Sequence, residues 1–506
     1  MRGGLRFVLT TLFLSAATLS AQASPYLPLG HPAYAYVDAL IERGHLRALW
    51  RLERPYRVRE LQQAVAGDSN AAEPATITSW RRALAAALSR APVAENDDGQ
   101  LRAAFIVEPF ITAETSGQRE LMLADTISGV YPGLSGTASL HTHHLVILGR
   151  LAFDRRLRFD PDYAGKKDRS LIGRNVEGYA SAQWTHGELF FGRTGRTWGP
   201  PHLRGLQLGD APYGYEHLYG RLGSSRVRIS TLLAKLDDNR VGFDSVATRY
   251  FAAHRLALRV LGIEVAGTES IVFGGVGRGL ELAYANPLSV YHITQYNESQ
   301  QGNIHVGLEA SARAGRLGII AVQGMLDDLQ IDDCGLSCEE PPSYGVTATW
   351  DGIPIVAGHT LFGSYTRLTN LAYRTPATFE TYDFLGVALG HAFTDYDELR
   401  VGAELAVLPA MVLRAYLAKR RQGEGGFREP FPAPAAYAST PTFLAGTVMS
   451  TTRIGATARG VMIGSLAVDA DVGLNRTRNA GHRPGGDDSS FEGRLSVRYA
   501  TPALRW

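Results

Sequence analysis

Apolar and polar side chains alternate with a period of two along much of the chain. From Arg226 to Leu233, Val227, Ile229 and Leu233 fall on one face of an extended segment, and Arg226, Arg228 and Ser230 fall on the other. The same pattern sets Leu399, Val401, Leu405 and Val407 against Arg400 and Glu404, recurs from Met411 to Lys419, and sets Leu495, Val497 and Tyr499 against Arg494, Ser496 and Arg498. Each segment predicts a strand with one oily and one charged face. Tyr179 to Thr185 and Glu188 to Arg193 predict a hairpin turning at His186-Gly187, and a first strand is expected over 102–114. Long connections rich in Gly, Pro, Tyr and Asp are expected near 116–140, 199–223, 286–303, 328–343, 420–441 and 475–489, with their sides open.

Ahead of the strands the period changes to that of a helix. Tyr34, Val37, Leu40 and Ile41 repeat at helical spacing between Pro32 and Gly44, and Val58, Leu61 and Val65 do so between Pro55 and Gly67. Trp80, Leu84 and Leu88 align in a third helix from about Thr78 to Arg90. Such short helices must bury their apolar stripes against something, which is expected to be one another and the periplasmic mouth of a barrel.

The first residues decide the compartment. Arg2 and Arg6, the apolar run Phe7 to Leu19 and the small-residue site Ala21-Gln22-Ala23 read as a secretory signal. Three parts are expected: a signal over 1–23, a helical segment over 24–98 and a barrel over 99–506. Without the signal the formal charge falls from +2 to 0, which gives no case for nucleic acid as a partner. No later segment approaches the length of a membrane helix; the best, Leu317 to Leu326, is short and broken by Gln323 and Gly324. A closed barrel is the other way to satisfy the backbone in lipid, and the length suits about 18 strands. The expected fold is therefore mainly β: a large transmembrane antiparallel β-barrel in the outer membrane, monomeric, bathed in outer-membrane lipid, with a small N-terminal α-helical periplasmic bundle. A soluble exported β protein is the alternative. The two cysteines, Cys334 and Cys338, are expected to close a small disulfide loop in that oxidising compartment; half of a metal site is the competing reading.

Several segments in order carry a resemblance. They are Asp38-Ala39-Leu40-Ile41-Glu42-Arg43-Gly44, Phe191-Gly192-Arg193 followed by Arg196-Thr197-Trp198-Gly199-Pro200, Ala253-His254-Arg255-Leu256 leading to Leu261-Gly262-Ile263-Glu264, and Leu282-Ala283-Tyr284-Ala285-Asn286-Pro287-Leu288. Together they resemble the capsule assembly Wzi family of outer-membrane proteins. The resemblance implies an 18-stranded barrel with a periplasmic helical bundle, acting as a surface lectin that helps attach capsular polysaccharide to the cell. Pro201 departs from the pattern, which has glycine there, and the loops are individual.

A glycan binder needs aromatic faces and planar hydrogen bonders. Trp198, Tyr213, Tyr215, His217 and Tyr219 offer the first, with an aromatic belt at the lipid boundary as the plainer reading. Arg193, Arg196, Arg226, Arg228, Arg255 and Arg259 offer the second, or line a polar lumen opposite Glu188, Glu264 and Glu281. Asn286 and Tyr291 join the candidates through the resemblance. The candidate polysaccharide contacts are thus Arg193, Arg196, Trp198, Tyr213, Tyr215, Tyr219, Arg255, Asn286 and Tyr291. His141 and His143 would share a strand face, but no carboxylate at recognisable spacing completes a metal site, and no cofactor is expected. Neither a Gly-x-Ser-x-Gly turn nor a His-Glu-x-x-His helix is present, and the resemblance implies a binder and not an enzyme; an outer-membrane enzyme would need a Ser/His/acid or paired-carboxylate constellation facing one cavity. The alternative function is a porin-like channel for small polar solutes or oligosaccharides, which differs in whether helices and loops block the bore.

Overall fold

The computed structural model describes residues 23–68, 74–91, 101–123, 125, 127–298, 301–328, 340–462 and 465–506. The predicted signal, but for Ala23, and both cysteines lie outside them. The barrel strands begin with β1 (Arg102–Glu114), β2 (Gly129–His141), β3 (Leu145–Asp154), β4 (Gly173–Trp184), β5 (Gly187–Arg193) and β6 (Glu216–Gly223). They continue with β7 (Val227–Lys235), β8 (Ser245–Val260), β9 (Ile263–Val276), β10 (Asn303–Arg313), β11 (Ile319–Asp328) and β12 (Ser343–Pro354). The last are β13 (Thr360–Leu368), β14 (Tyr396–Leu408), β15 (Met411–Gln422), β16 (Met449–Met462), β17 (Leu466–Arg478) and β18 (Asp488–Tyr499). Each strand pairs antiparallel with the next, and β18 returns to β1 with Phe110 opposite Arg498 and Glu114 opposite Arg494, closing an 18-stranded barrel. Closure removes both sheet edges, so every strand has a ladder partner on each side.

The two faces of each strand are sorted opposite to those of a soluble protein. Leu399 and Val401 are 51 % and 44 % exposed, whereas Glu404 on the other face of β14 is 0 % exposed. Leu495 and Tyr499 likewise look outward from β18 while Arg494 turns in to Glu114 at 2.9 Å. The wall is therefore greasy outside and charged inside, a surface that lipid solvates and water does not.

Short turns join β2 to β3, β4 to β5 and every following even–odd pair, and the longer connections all leave the other end. The short-turn end is the periplasmic one in such barrels. Two expected connections end earlier than the pattern suggested. Residues 129–140 belong to β2, whose glycines and serines pair along β1, and 216–223 form β6. Two long connections were not anticipated: 155–172, which carries a charge run that reads equally as strand or loop, and 369–395.

The helices α1 (Tyr34–Glu42), α2 (Val58–Ala66) and α3 (Ala75–Ser89) cluster at the short-turn end. Leu40, Leu61, Trp80, Leu84 and Leu88 are buried in one apolar core that also takes in Ala406 and Val412 of the wall. Tyr36 donates to the Ala410 carbonyl at 2.6 Å and the Trp80 indole to that of Leu408 at 2.9 Å. The chain between α1 and α2 enters the lumen itself. Glu53 there accepts from Tyr219 at 2.6 Å and Ser230 at 2.9 Å, and pairs with Arg228 at 3.0 Å and Arg255 at 3.7 Å.

Burial pushes the Glu53 carboxyl up, but Arg228, Arg255 and Arg221 outweigh it and hold it below the usual carboxylate range. An acid depressed in this way stabilises the fold above its unfolded pKa and loses that contribution as acidification reaches the folded one.

Two substitutions test this architecture. Leu417, 46 % exposed at the middle of β15, should lose about 2–4 kcal/mol of folding free energy as Leu417→Arg in lipid vesicles, against about 0–1 kcal/mol for Val407→Arg near a strand end. Equilibrium urea titration measures both. Glu53→Ala, by taking from buried Arg228 its nearest acid and from Arg255 one of its acids, should cost about 3–5 kcal/mol; heat-modifiable gel mobility should show its folded band lost at lower temperature.

Candidate functional site

The bore is filled from both ends. The connection 194–215 turns inward after β5, and Thr197 and Trp198 pair antiparallel with Arg54 and Glu53 deep in the lumen. Further along it, Gln207 donates to the His305 carbonyl at 2.9 Å and Leu206 to the Gln323 side chain at 2.9 Å. The connection 369–395 covers it from the outer side: Tyr373 and Tyr382 stack at 5.3 Å and donate to the carbonyls of Leu206 at 2.5 Å and Gln207 at 2.6 Å. Arg249 of β8 holds that cover through the Phe379 carbonyl at 2.8 Å and Asp383 at 3.0 Å.

At the outer end the connections 115–128, 155–172 and 194–215 meet around Tyr213. Its hydroxyl donates to Asp160 at 2.6 Å and accepts from Arg119 at 2.7 Å. The guanidiniums of Arg119 and Arg174 lie 4.8 and 4.9 Å from its ring centroid, and Tyr163 stands 5.3 Å away, tilted by 58°. Asp160 is fully buried beneath them, bonded to Arg119 at 2.5 Å, while Tyr213 and Tyr163 are only half-buried. Burial raises the Asp160 carboxyl, yet Arg119, the Tyr213 hydroxyl and Arg156 together hold it below its ordinary value. It thus stays charged through neutral and mildly acidic pH, and the cluster keeps its anchor there. Arg174 makes no salt bridge among the described residues, so one guanidinium at this face keeps its donors for something else. Two adjoining aromatic rings flanked by guanidiniums can pack against sugar C–H faces and pair with carboxylates.

The other candidates are elsewhere. Arg196 is buried, 3.6 Å from the Tyr219 ring centroid and bonded to His217 at 3.0 Å; Trp198 is buried in the loop ladder. Tyr215 packs edge-on to Phe251 and Phe384, and Tyr219 is the Glu53 donor. Arg255 pairs with Glu309 at 2.8 Å in the lumen wall. Among the cations proposed as lumen lining, Arg228 does line it, Arg259 reaches from β8 to the Leu49 carbonyl at 2.6 Å, and Arg226 sits in an exposed turn. Arg193 pairs with Glu216 at 3.1 Å, partly exposed, near the outer rim. Asn286 and Tyr291 belong to a connection that folds over the outside of the wall, where α4 (Leu282–Ala285) and α5 (Tyr291–Glu298) bury Tyr284 and Tyr291 against Ala252, Ile271 and Phe273. Tyr291 there lids a His254–Glu269 pair at 3.2 Å, and Asn286 is exposed and accepts from the Leu288 N–H at 3.1 Å. Only Tyr213 of the nine therefore stands in the outer aromatic cluster. Arg119, Asp160, Tyr163 and Arg174 were missed; the one local signal for the last three is the density of charge over 154–174, and Arg119 has none.

No protein-family model and no curated protein sequence matches the chain. Solved structures do. Wzi of Escherichia coli, described as a carbohydrate-binding β-barrel involved in group 1 capsule assembly, superposes with a TM-score of 0.63 at 13 % identity over 95 % of this chain and 99 % of its own. The two chains share one fold. OprD of Pseudomonas aeruginosa gives a TM-score of 0.43 at 10 % identity over 82 % and 98 % of the two chains, and the outer membrane protein OpdK of the same organism gives 0.44 at 12 % over 80 % and 99 %. With its closed ladder and apolar belt, the Wzi-like barrel is an outer-membrane protein.

The cover formed by 369–395 carries a titratable group. Glu380 lies in the 369–395 connection, where burial raises its carboxyl to about 7 against the pull of Arg278 at 3.9 Å. A raised acid favours the folded state while protonated and opposes it once ionised, so stability falls as pH rises from the unfolded pKa through about 7. Glu380→Gln should therefore raise the thermal midpoint near pH 8 and leave it unchanged near pH 4, a difference read by the heat-modifiable band at the two pH values.

Proposed function

We propose that this protein is an outer-membrane lectin-like barrel that binds an acidic surface polysaccharide at its outer face and helps attach it to the cell. The observation that carries the reading is the Tyr213–Tyr163 pair flanked by Arg119 and Arg174 over a filled bore. Guanidinium recognises planar carboxylates bidentately, and a tyrosine ring stacks on sugar faces at little entropic cost. The barrel that shares this fold is itself described as carbohydrate-binding. Capsular polysaccharide is accordingly the partner we assign, with the barrel acting as a monomer.

The channel reading has one observation in its favour. Polar cavities of about 270 and 190 Å³ remain beside the plug under β14–β18, and both are lined by Arg459 and Asp469. Against it weigh the two lumen connections and the N-terminal segment. The purified barrel is expected to give no steady open-pore current in a planar bilayer; a stable current would favour the channel.

In a deletion strain, surface polysaccharide should shift from cells to medium with total synthesis unchanged, as read by fractionation and glycan staining. Complementation with the wild type should restore retention. Tyr213→Ala combined with Arg174→Ala should leave the barrel folded, fail to restore retention and weaken binding of the purified glycan about tenfold or more, since the two contacts together are worth about 1.4 kcal/mol or more. Retention equal to wild type in the deletion strain would refute attachment.

A further inference from the structure

Three elements far apart in sequence meet between the plug and the wall. Glu42 at the end of α1, His202 in the lumen connection and Asp351 of β12 each offer a ligand atom, and these atoms lie within 4.8 Å of one another. Both carboxylates are buried, with residue exposures of 4 % and 7 %. The approach is close by design of the backbone: a Cβ at Gly352 would stand 2.5 Å from the Glu42 carbonyl oxygen.

The ion pairs around them leave one carboxylate out. Arg43 and Arg414 bind Glu404, Arg414 also binds Glu42, and Arg54 binds Asp38. These three guanidiniums are taken up by Asp38, Glu42 and Glu404, Arg313 reaches the Ile41 and Glu42 carbonyls, and the buried Asp351 is left without a salt bridge among the described residues. The Oε2 atom of Glu42 is buried with no hydrogen-bond partner. Two buried carboxylates this close need a cation or a shared proton between them.

His202 supplies the third element. Its Nε2 points to Glu42 at 3.0 Å and its Nδ1 to Asp38 at 3.5 Å. A neutral imidazole has one N–H, and a carboxylate behind one nitrogen fixes the proton there and leaves the other nitrogen free to ligate. Asp38, gripped by Arg54, stands in that orienting position. The backbone of His202 is held at a φ of +67°, a conformation that non-glycine residues seldom adopt, and its side chain borders a cavity of about 190 Å³.

We propose that Glu42, His202 and Asp351 bind one divalent transition-metal ion of the zinc class, clipping the helical plug, the lumen connection and the barrel wall together. One imidazole nitrogen with two carboxylates suits zinc and disfavours calcium and magnesium, which take oxygen ligands. Asp38 is a positioning residue, acting through His202.

The test uses the full chain in detergent micelles, stripped with a chelator and titrated with ZnCl₂ in a calorimeter and with CoCl₂ in a spectrophotometer. One equivalent should bind, the cobalt d–d band should appear, and zinc should raise the thermal midpoint. His202→Ala and Asp351→Asn should each weaken binding about 100-fold or more and abolish the zinc-dependent rise, whereas the His143→Ala, His144→Ala double variant should behave as wild type. Absence of stoichiometric binding to the wild-type chain would overturn the proposal and leave His202 as a hydrogen-bonding bridge between Glu42 and Asp38. Undiminished binding in both single variants would overturn it equally, by locating the ion elsewhere.

Discussion

A backbone N–H or C=O in hydrocarbon has no water to turn to, and the architecture of this chain follows from that constraint. Only a ladder that closes on itself leaves no unpaired group at the lipid boundary, so the return of β18 to β1 is obligatory for spanning. Closure assigns the two faces of every strand. Leu399, Leu417 and Leu495 go to lipid because the alternative, burying them inward, would put Glu404, Arg414 and Arg494 into the bilayer.

The inward charges then create a second demand. Guanidiniums and carboxylates packed into a bore too crowded for bulk water need partners, and the wall alone does not supply enough of them. Glu53, brought from outside the wall, answers Arg228 and Arg255, and Arg57 answers Glu188 at 2.9 Å. The plug is thus bound by the same ionic chemistry that lines the barrel, and its apolar helices need only cover the periplasmic rim. That division explains why α1 to α3 can be short: their stripes bury against turns of the barrel as well as against each other.

Local periodicity made the wall legible. A period of two reports directly which side chains face lipid, so β1, the β4–β5 hairpin and the strands carrying Leu399 and Leu495 could be read from spacing alone, as could the helices ending near Gly44 and Gly67. The fate of the long connections could not. Trp198, Tyr215 and Tyr219 have the composition of a sugar-binding loop, yet the chain turns inward at 194–199 because Trp198 finds a strand partner at Glu53, 145 positions earlier. Nothing local to either segment announces that pairing. Tyr291 was likewise drawn outside the barrel by apolar wall positions on β8 and β9, and the grouping of residues 42, 202 and 351 has no spacing to recognise at all.

The inward course of 194–215 also bears on the binding we propose at the outer face. A loop anchored at one end by a ladder to the plug and midway by Gln207 has little freedom left when it emerges at Tyr213. Its hydroxyl is then fixed by both buried Asp160 and Arg119, and the Arg119 guanidinium also lies against the ring. Ordering such a loop on contact with a flexible polymer would cost about 1–2 kcal/mol per residue immobilised; here the fold has met that cost before the ligand arrives. The buried aromatics that failed to reach the surface therefore serve the surface nonetheless, because their packing holds the half-buried Tyr213 in place.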